Sequence, residues 1–366
     1  MNNWSQAGLR RITSNLLAFF HAFRHIPRAV QKGRFSRKFL VLTKAFYSSG
    51  DVIADRRADY ARMLAEQGDH AAAAELMGQA LELVPDWAAG WDLVGGYHEK
   101  AGNVSNAIAA WRQLEALDDE GVFGARLKLA SHNAGPAGEG TAVGYVEALF
   151  DQYAPQFEAA LVGKLGYRVP DLLDAMVEEE MARLGIASFE RALDLGCGTG
   201  LMGERLRAKV GHLEGVDISA AMIAETARKS IYDSLQKAEL VATLNARRAD
   251  ADLVTAADVL IYCGALPPVL TALVPALRPG GLVAFSLEAH DGDEALFLRP
   301  SLRYAHGVAA ARDALVVAGL EVLRFETAQL RFDRGAPITG ILVVARKPAV
   351  EMTAANDGVD GGDVAA

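Results

Sequence analysis

The stretch RALDLGCGTGLMG, residues 191–203, decides how the chain is read. An apolar strand-like run leads into a glycine turn, and a helix begins behind it. Gly198, Gly200 and Gly203 spell G-x-G-x-x-G, and Asp217 follows at the distance of a ribose-binding acid, which is a dinucleotide fingerprint. Asp194, Gly196, Gly198 and Gly200 spell D-x-G-x-G-x-G as well, which a different cofactor class uses. In both cases missing Cβ atoms let a ligand lie against the backbone. Charge separates the two. A pyrophosphate wants bare N–H groups at the helix start, and a carboxylate beside it repels. Asp194, two residues before the first glycine, suits a ligand that carries cationic groups.

Outward from this turn, strand-like runs alternate with helical ones. Strands are expected at 191–195, 213–217, 239–243, 253–257 and 281–287. Helices are expected at 200–209, 219–237, 266–276 and 308–318. Such alternation marks a doubly wound, Rossmann-like parallel sheet. The last two runs, LEVLRFETAQLRF and TGILVVARK, have no helix between them, so an antiparallel hairpin is expected at the C-terminal edge. The domain is placed at 146–347 with a helical lid in front, and the tail 348–366, without a periodic apolar face, is expected to be unstructured.

Ahead of that domain the chain repeats itself. Residues 54–86 overlay 88–120 at a shift of 34, which sets Gly68 on Gly102, Ala73 on Ala107, Met77 on Trp111 and Ala61 on Gly95. Small residues at a helix crossing, a turn glycine and a large residue in the second helix describe helical hairpins. Period and pattern resemble tetratricopeptide repeats, with Asp119 standing where a second proline is expected. The all-α module is placed at 54–132, and the segments 36–48 and 122–132 are the natural caps of its open faces. A repeat module of this kind takes a protein or peptide partner. Residues 133–145, polar and rich in glycine, are read as a linker.

The net charge of −9 hides an asymmetry. Residues 1–50 carry nine Lys and Arg and no acid, so the rest of the chain stands at −18. Nucleic acid is not the expected partner of so acidic a body. Residues 1–53 read as a basic amphipathic segment; a docked helix, a transit peptide and weak membrane association of residues 1–30 remain open. His21 and His25 lie one helical turn apart without a third ligand, and no metal site is expected. Two cysteines, Cys197 and Cys263, make neither a disulfide framework nor a zinc site, which favours a reducing, cytoplasmic compartment.

A ligand with an ammonium and a sulfonium group is S-adenosylmethionine. From about residue 146 to 347 the chain resembles the class I S-adenosylmethionine-dependent methyltransferases, and with its repeats it resembles bacterial tetratricopeptide-containing members. The stretches that carry the likeness are LFDQYAPQFEAALVGKLGYRVP, LDLGCGTGLMG, GVDISAAMI, ADLVTAADVLIY, LRPGGLVAFSLE and RYAH. The resemblance implies that Gly196, Cys197, Gly198 and Gly200 form the loop under the methionine part, and that Asp194 helps hold its amino group. It implies Asp217 on the ribose hydroxyls, Ile218 and Met222 beside the adenine, Glu239 accepting from the adenine amino group, and Leu240 offering a backbone N–H. The AEL sequence at 238–240 departs from the family's more common acid pair. Cys197 reads as a small filler. Asp258 and His306 are the candidate bases, Tyr153 and Tyr167 the candidate covers. The alternatives are a repeat scaffold whose second domain no longer catalyses, and a nicotinamide oxidoreductase.

Overall fold

The structure is a computed structural model that describes residues 48–138 and 140–349. Residues 1–47 of the basic segment with its two histidines, most of the 36–48 cap and residues 350–366 of the tail lie outside the described residues.

Four helices open the chain: α1 (Val52–Glu66), α2 (His70–Leu81), α3 (Ala88–Lys100) and α4 (Val104–Leu117). Asp51 caps α1 by accepting from the N–H groups of Ile53 and Ala54, and Asp69 caps α2 through Ala72. Gly68 and Gly102 both take positive φ, at +90° and +80°, so each hairpin turns on a left-handed glycine. Ala73 and Met77 in one hairpin, and Ala107 and Trp111 in the other, are buried in a shared core. A Cβ on Gly95 would fall 2.4 Å from the Trp111 indole nitrogen, which is why the residue is small there. The short α5 (Ala125–Ser131) closes the module, adding Phe123, Ala125 and Leu129 to its core.

Next come α6 (Val143–Tyr153), α7 (Phe157–Leu165) and α8 (Val169–Leu184), then the sheet. Its strands are β1 (Phe189–Leu195), β2 (Val210–Asp217), β3 (Ser234–Lys237), β4 (Ala251–Ala256), β5 (Leu277–His290), β6 (Leu296–Leu298), β7 (Tyr304–Gly307), β8 (Glu321–Asp333) and β9 (Ala336–Arg346). Helices α9 (Leu201–Leu206), α10 (Ala220–Lys229), α11 (Leu240–Asn245), α12 (Leu266–Ala276) and α13 (Val308–Val317) connect them. The order β3-β2-β1-β4-β5 is parallel throughout. β9 pairs antiparallel with β5 and with β8, so the C-terminal hairpin closes one edge. β7 pairs with the last residues of β5 beyond the end of β4, and carries β6 antiparallel.

Both faces of the sheet are covered. Leu193, Leu195, Val283, Phe285 and Leu287 pack toward α12 and α13, whereas Ala192, Leu282 and Ala284 pack toward α8 and α9. The period of two in these strands places alternate residues in opposite cores.

Two expected elements are corrected, the helix over 219–237 and the strand at 239–243. The helix foreseen over 219–237 ends at Lys229, where Ser230 adopts a left-handed φ of +55°. The third strand is therefore 234–237, and 240–245 is helix rather than strand. As an edge strand with only one large apolar residue, SLQK carries too little hydrophobic pattern to be seen. The linker is also not a free tether. Thr141 donates its N–H to the Tyr262 carbonyl at 3.0 Å, and Gly140 fits against the Cys263 carbonyl, where a Cβ would sit 2.9 Å away. No helix among the described residues is long and apolar enough to cross a membrane.

Candidate functional site

A pocket of about 530 Å³ opens at the C-terminal ends of β1, β2 and β4, beneath α6 and α7. This is where open parallel sheets bind ligands, and the volume is that of a small-molecule site. Leu149, Phe150, Tyr153, Phe157, Leu161 and Tyr167 form an apolar roof. None of the residues of α6 is fully buried, so this helix rests on the pocket rather than in a core. Asp151 ties it down, accepting from Ser219 Oγ at 2.5 Å and the Ala221 N–H at 3.1 Å.

The glycine loop follows β1. Gly196, Gly198 and Gly200 all have positive φ, and a Cβ on Gly196 would lie 2.4 Å from Val259. Gly196 and Gly198 line the pocket. Three N–H groups of the loop are already committed: Cys197 to the Val216 carbonyl, Gly200 to the Cys197 carbonyl and Gly198 to Asp217 Oδ2 at 2.9 Å. A loop whose amides are spent on its own fold is a poor cradle for diphosphate. Cys197 is buried below the loop, and burial pushes its thiol well above the usual range, so it fills space.

Asp217 lines the pocket at the end of β2, one oxygen accepting from Gly198 and the other from the Ser219 N–H at 2.8 Å. Burial raises its pKa while the Ser219 and Gly198 N–H groups oppose the rise. Each oxygen keeps a lone pair that a diol can engage. Ile218, Met222, Glu239 and Leu240 line the same end. The Glu239 carboxylate, however, caps α11, accepting from Val241 and Ala242 at 2.9 and 2.7 Å. Its oxygens are engaged by the helix it starts, which is the role that AEL hid.

Asp194 is a correction in emphasis. It is 1% exposed and does not line the pocket. Its oxygens accept from Thr255 Oγ1 at 2.7 Å and Tyr232 Oη at 2.6 Å. Burial lifts its pKa to about 6, against the pull of those two hydroxyls. The carboxylate therefore acts on the loop from underneath. Gly203, the third glycine of the rival fingerprint, is explained by the same tyrosine: a Cβ there would meet the Tyr232 ring and hydroxyl at 2.3 Å.

At the opposite end lies a cluster that the sequence did not announce. Asp258, with φ of +62°, lines the pocket and pairs with Arg331. Arg331 also holds the fully buried Glu288, which Arg303 reaches at 2.9 Å and Arg299 at 2.8 Å. Arg303 pairs in turn with Asp333. Among the described residues Asp258 Oδ1 is buried without a hydrogen-bond partner. His306 is elsewhere. It sits buried in β7, its Nε2 2.9 Å from the Gly264 carbonyl, outside the pocket lining, and its candidacy as base is withdrawn. The linker contributes Gly138, Gly140 and Thr141 to the pocket wall.

Residues 193–283 match a family model described as a methyltransferase domain. That span runs from the last residues of β1 to the middle of β5 and holds the glycine loop and Asp217, and the nicotinamide alternative is set aside by it. Over 146 residues the chain is 33% identical to a malonyl-[acyl-carrier protein] O-methyltransferase of Enterobacter lignolyticus, covering 40% of this chain and 54% of that protein. It is 39% identical over 110 residues to a trans-aconitate 2-methyltransferase of Pseudomonas paraeruginosa, covering 30% and 39% respectively. The chain thus spans about half the length of the first relative and less of the second. A crystal structure of an S-adenosylmethionine-dependent methyltransferase from Clostridium acetobutylicum superposes with a TM-score of 0.41 at 18% identity, over 55% of this chain and all of that one.

Proposed function

We propose that this chain is an S-adenosylmethionine-dependent methyltransferase whose helical repeats recruit a protein or peptide partner. The observation that carries the reading is the junction of loop and acid. Gly196 and Gly198 offer a bare backbone wall, and Asp217 lines the pocket at the end of the neighbouring strand, its carboxylate joined to the loop through the Gly198 N–H. Three of the loop amides are held within the fold and the lining is acidic, which suits a cationic amino-acid headgroup and a ribose diol better than a diphosphate. When bound, the cofactor supplies an electrophilic methyl group on a sulfonium. The residues of this chain would hold it: Asp217 the ribose, Ile218 and Met222 the adenine face, the glycine loop the methionine part, with Asp194 supporting the loop from below. Alignment is the main demand of such a displacement, and proximity can supply on the order of 7 to 11 kcal/mol. The apolar roof excludes water from the same space.

For the front module, two hairpins in 34-residue register, each turning on a left-handed glycine and burying Met77 or Trp111, support the tetratricopeptide reading. Calorimetry with S-adenosylmethionine, S-adenosylhomocysteine and NADH tests the cofactor. Saturable binding of NADH alone overturns the proposal. In Asp217→Ala, methyl transfer from labelled cofactor to cell lysate should vanish while partner capture by the repeats persists; unchanged transfer removes the ribose role.

A further inference from the structure

Helix α6 meets three surfaces at once. Val143, Val146, Leu149, Phe150 and Tyr153 line the pocket. These positions recur at three- and four-residue steps, so they share one side of the helix. Glu147 and Asp151, one turn apart, reach the cofactor end of the sheet. Glu147 accepts from Lys237 Nζ, at the end of β3, at 2.6 Å, and Asp151 accepts from Ser219 Oγ at 2.5 Å. The remaining side carries Gly144 and Tyr145, and it rests on the front helical module. We propose that this module positions the roof of the cofactor pocket, with Tyr145 and Gly144 as the positioning residues through which it acts. The inference rests on the methyltransferase reading and gives the repeats a second role, as part of the site itself.

The module meets α6 with the loop between α4 and α5. Gly124 has a φ of +68°, and a Cβ on it would fall 2.7 Å from the Tyr145 ring. A Cβ on Gly121, in the same backbone conformation, would lie 2.6 Å from the Ala142 Cβ. From the other side, a Cβ on Gly144 would meet the Glu120 carbonyl oxygen at 2.7 Å and Val122 at 3.3 Å. These glycines sit where two chain segments approach too closely for a side chain on either. The loop is held firm by its own module. Asp118 accepts from the N–H groups of Val122 and Phe123 at 3.0 and 2.8 Å, and Phe123 is buried in the core that holds Met77 and Trp111. Tyr145 lies between the two bodies. Burial holds its hydroxyl above the ordinary tyrosine range, Asp92 of α3 adds to the rise, and Arg303 of the pocket wall opposes it.

The contact matters because α6 is weak alone. It has 11 residues and none of them is fully buried, and a helix that short is marginal without packing. Elements with few buried contacts open locally at low cost. Its place over the pocket therefore depends on what grips it: Glu147 and Asp151 toward the sheet, and the module's loop at its start. The path from the module to the ribose acid is short. The loop bears on Gly144 and Tyr145, Asp151 of the same helix holds Ser219, and Ser219 donates its N–H to Asp217. Releasing the grip at the start of α6 raises the cost of ordering the roof when the cofactor binds. Such coupling is reciprocal, so a ligand under the roof steadies the loop in turn.

Calorimetry with S-adenosylhomocysteine and amide hydrogen exchange, both on the full chain, test this. Tyr145→Ala takes the ring from Gly124 and leaves the pocket lining intact; Kd should rise at least about fivefold. Tyr145→Phe keeps the ring and should bind within about twofold of wild type. Gly144→Ala separates the contact from the helix itself. Alanine is the better helix former, so a role confined to α6 gives unchanged or tighter binding. A role for the contact gives a Kd at least about fivefold higher, which is the expected result. In the wild type the ligand should slow exchange across 118–131, which lies outside the pocket lining, and Tyr145→Ala should lose that slowing. Wild-type affinity in Tyr145→Ala or Gly144→Ala overturns the proposal, as does a Tyr145→Phe protein as weak as Tyr145→Ala. Exchange across 118–131 that ignores the ligand in the wild type overturns it too. A wild-type chain that does not bind S-adenosylhomocysteine removes the methyltransferase reading instead.

Discussion

Asp194→Asn should make the unliganded protein more stable at neutral pH while weakening its hold on the cofactor. An ordinary aspartate titrates at 3.8, and burial of Asp194 raises it to about 6. One pKa unit corresponds to about 1.4 kcal/mol, so the ionised carboxylate costs the fold about 3 kcal/mol. The sign follows from proton binding. Below pH 3.8 the group is neutral in both folded and unfolded chains and nothing is lost. Between 3.8 and 6 the unfolded chain gives up its proton first, and the penalty grows as pH rises. Above 6 it is complete. Asparagine carries no such penalty, and its amide can pair with both Tyr232 and Thr255, since each hydroxyl both donates and accepts.

Urea denaturation of wild type and Asp194→Asn between pH 5 and pH 7 reads this directly. The stability difference should widen in favour of the variant by about 1.4 kcal/mol over that interval, the remainder of the ~3 kcal/mol having developed below it. Calorimetry at pH 7.5 should show cofactor binding weakened, because the loop loses the negative charge beneath it. A pH-independent stability difference, or a variant less stable than wild type at pH 7, would refute the assignment of a charged, buried Asp194.

Other perturbations test the loop and the roof. Gly196→Ala introduces a Cβ 2.4 Å from Val259 at a φ of +60°; overpacking and backbone strain together should cost about 2 to 5 kcal/mol and abolish cofactor binding, read by thermal melts and calorimetry. Gly203→Ala drives the Tyr232 hydroxyl from its place on Asp194 and should destabilise by about 1 to 3 kcal/mol, with the loss growing as pH rises above 6 because the ionised carboxylate then lacks a donor. Asp151→Ala frees α6 from Ser219 and Ala221; proteolysis within 143–165 should quicken and KM for the cofactor rise several-fold, with the melting temperature of the whole chain little changed.

The sheet was legible because its pattern is long-range and redundant. Burial on both faces forces continuous apolar runs in β1, β4 and β5, and helices of period 3.6 separate them. Helix α12 spans Leu266–Ala276, the same bounds that the periodicity gives. The edge escaped notice for the opposite reason. β3 buries almost nothing, and what ends α10 is Ser230 in a left-handed conformation rather than a glycine or proline. The part that the linker plays in the pocket wall is not visible in its composition, which does not report packing. Gly140 is small because a Cβ there would sit 2.9 Å from the Cys263 carbonyl, and the same residue type that suggests a linker here permits a wall.

Asp194 shows how far a local electrostatic argument reaches. The sequence places an acid two residues before the first glycine, and a cationic ligand follows from that placement. It cannot show that Tyr232, 38 residues later, and Thr255, 61 residues later, take up both oxygens. Asp217 had no such competitors from distant side chains; its partners are the neighbouring Ser219 and the loop itself, and it stays at the pocket. The charge cluster at the other end lay further still from local reading. Asp258 follows β4, Glu288 lies near the end of β5, Arg303 precedes β7, and Arg331 and Asp333 belong to β8, so no window of sequence contains two opposite partners of the Asp258–Arg331–Glu288 chain. Their meeting is a consequence of sheet order. β9 inserts antiparallel beside β5, which carries β8 along with it, and β7 extends past the end of β4. Three segments thereby converge above the same strand end. The cofactor half of the pocket comes from consecutive strand–loop–helix units, the glycine loop after β1 and Asp217, Ile218 and Met222 from the end of β2 onward, and each can be read locally. The charge cluster at the other end is a property of the topology, and becomes visible only when the hairpin has been placed.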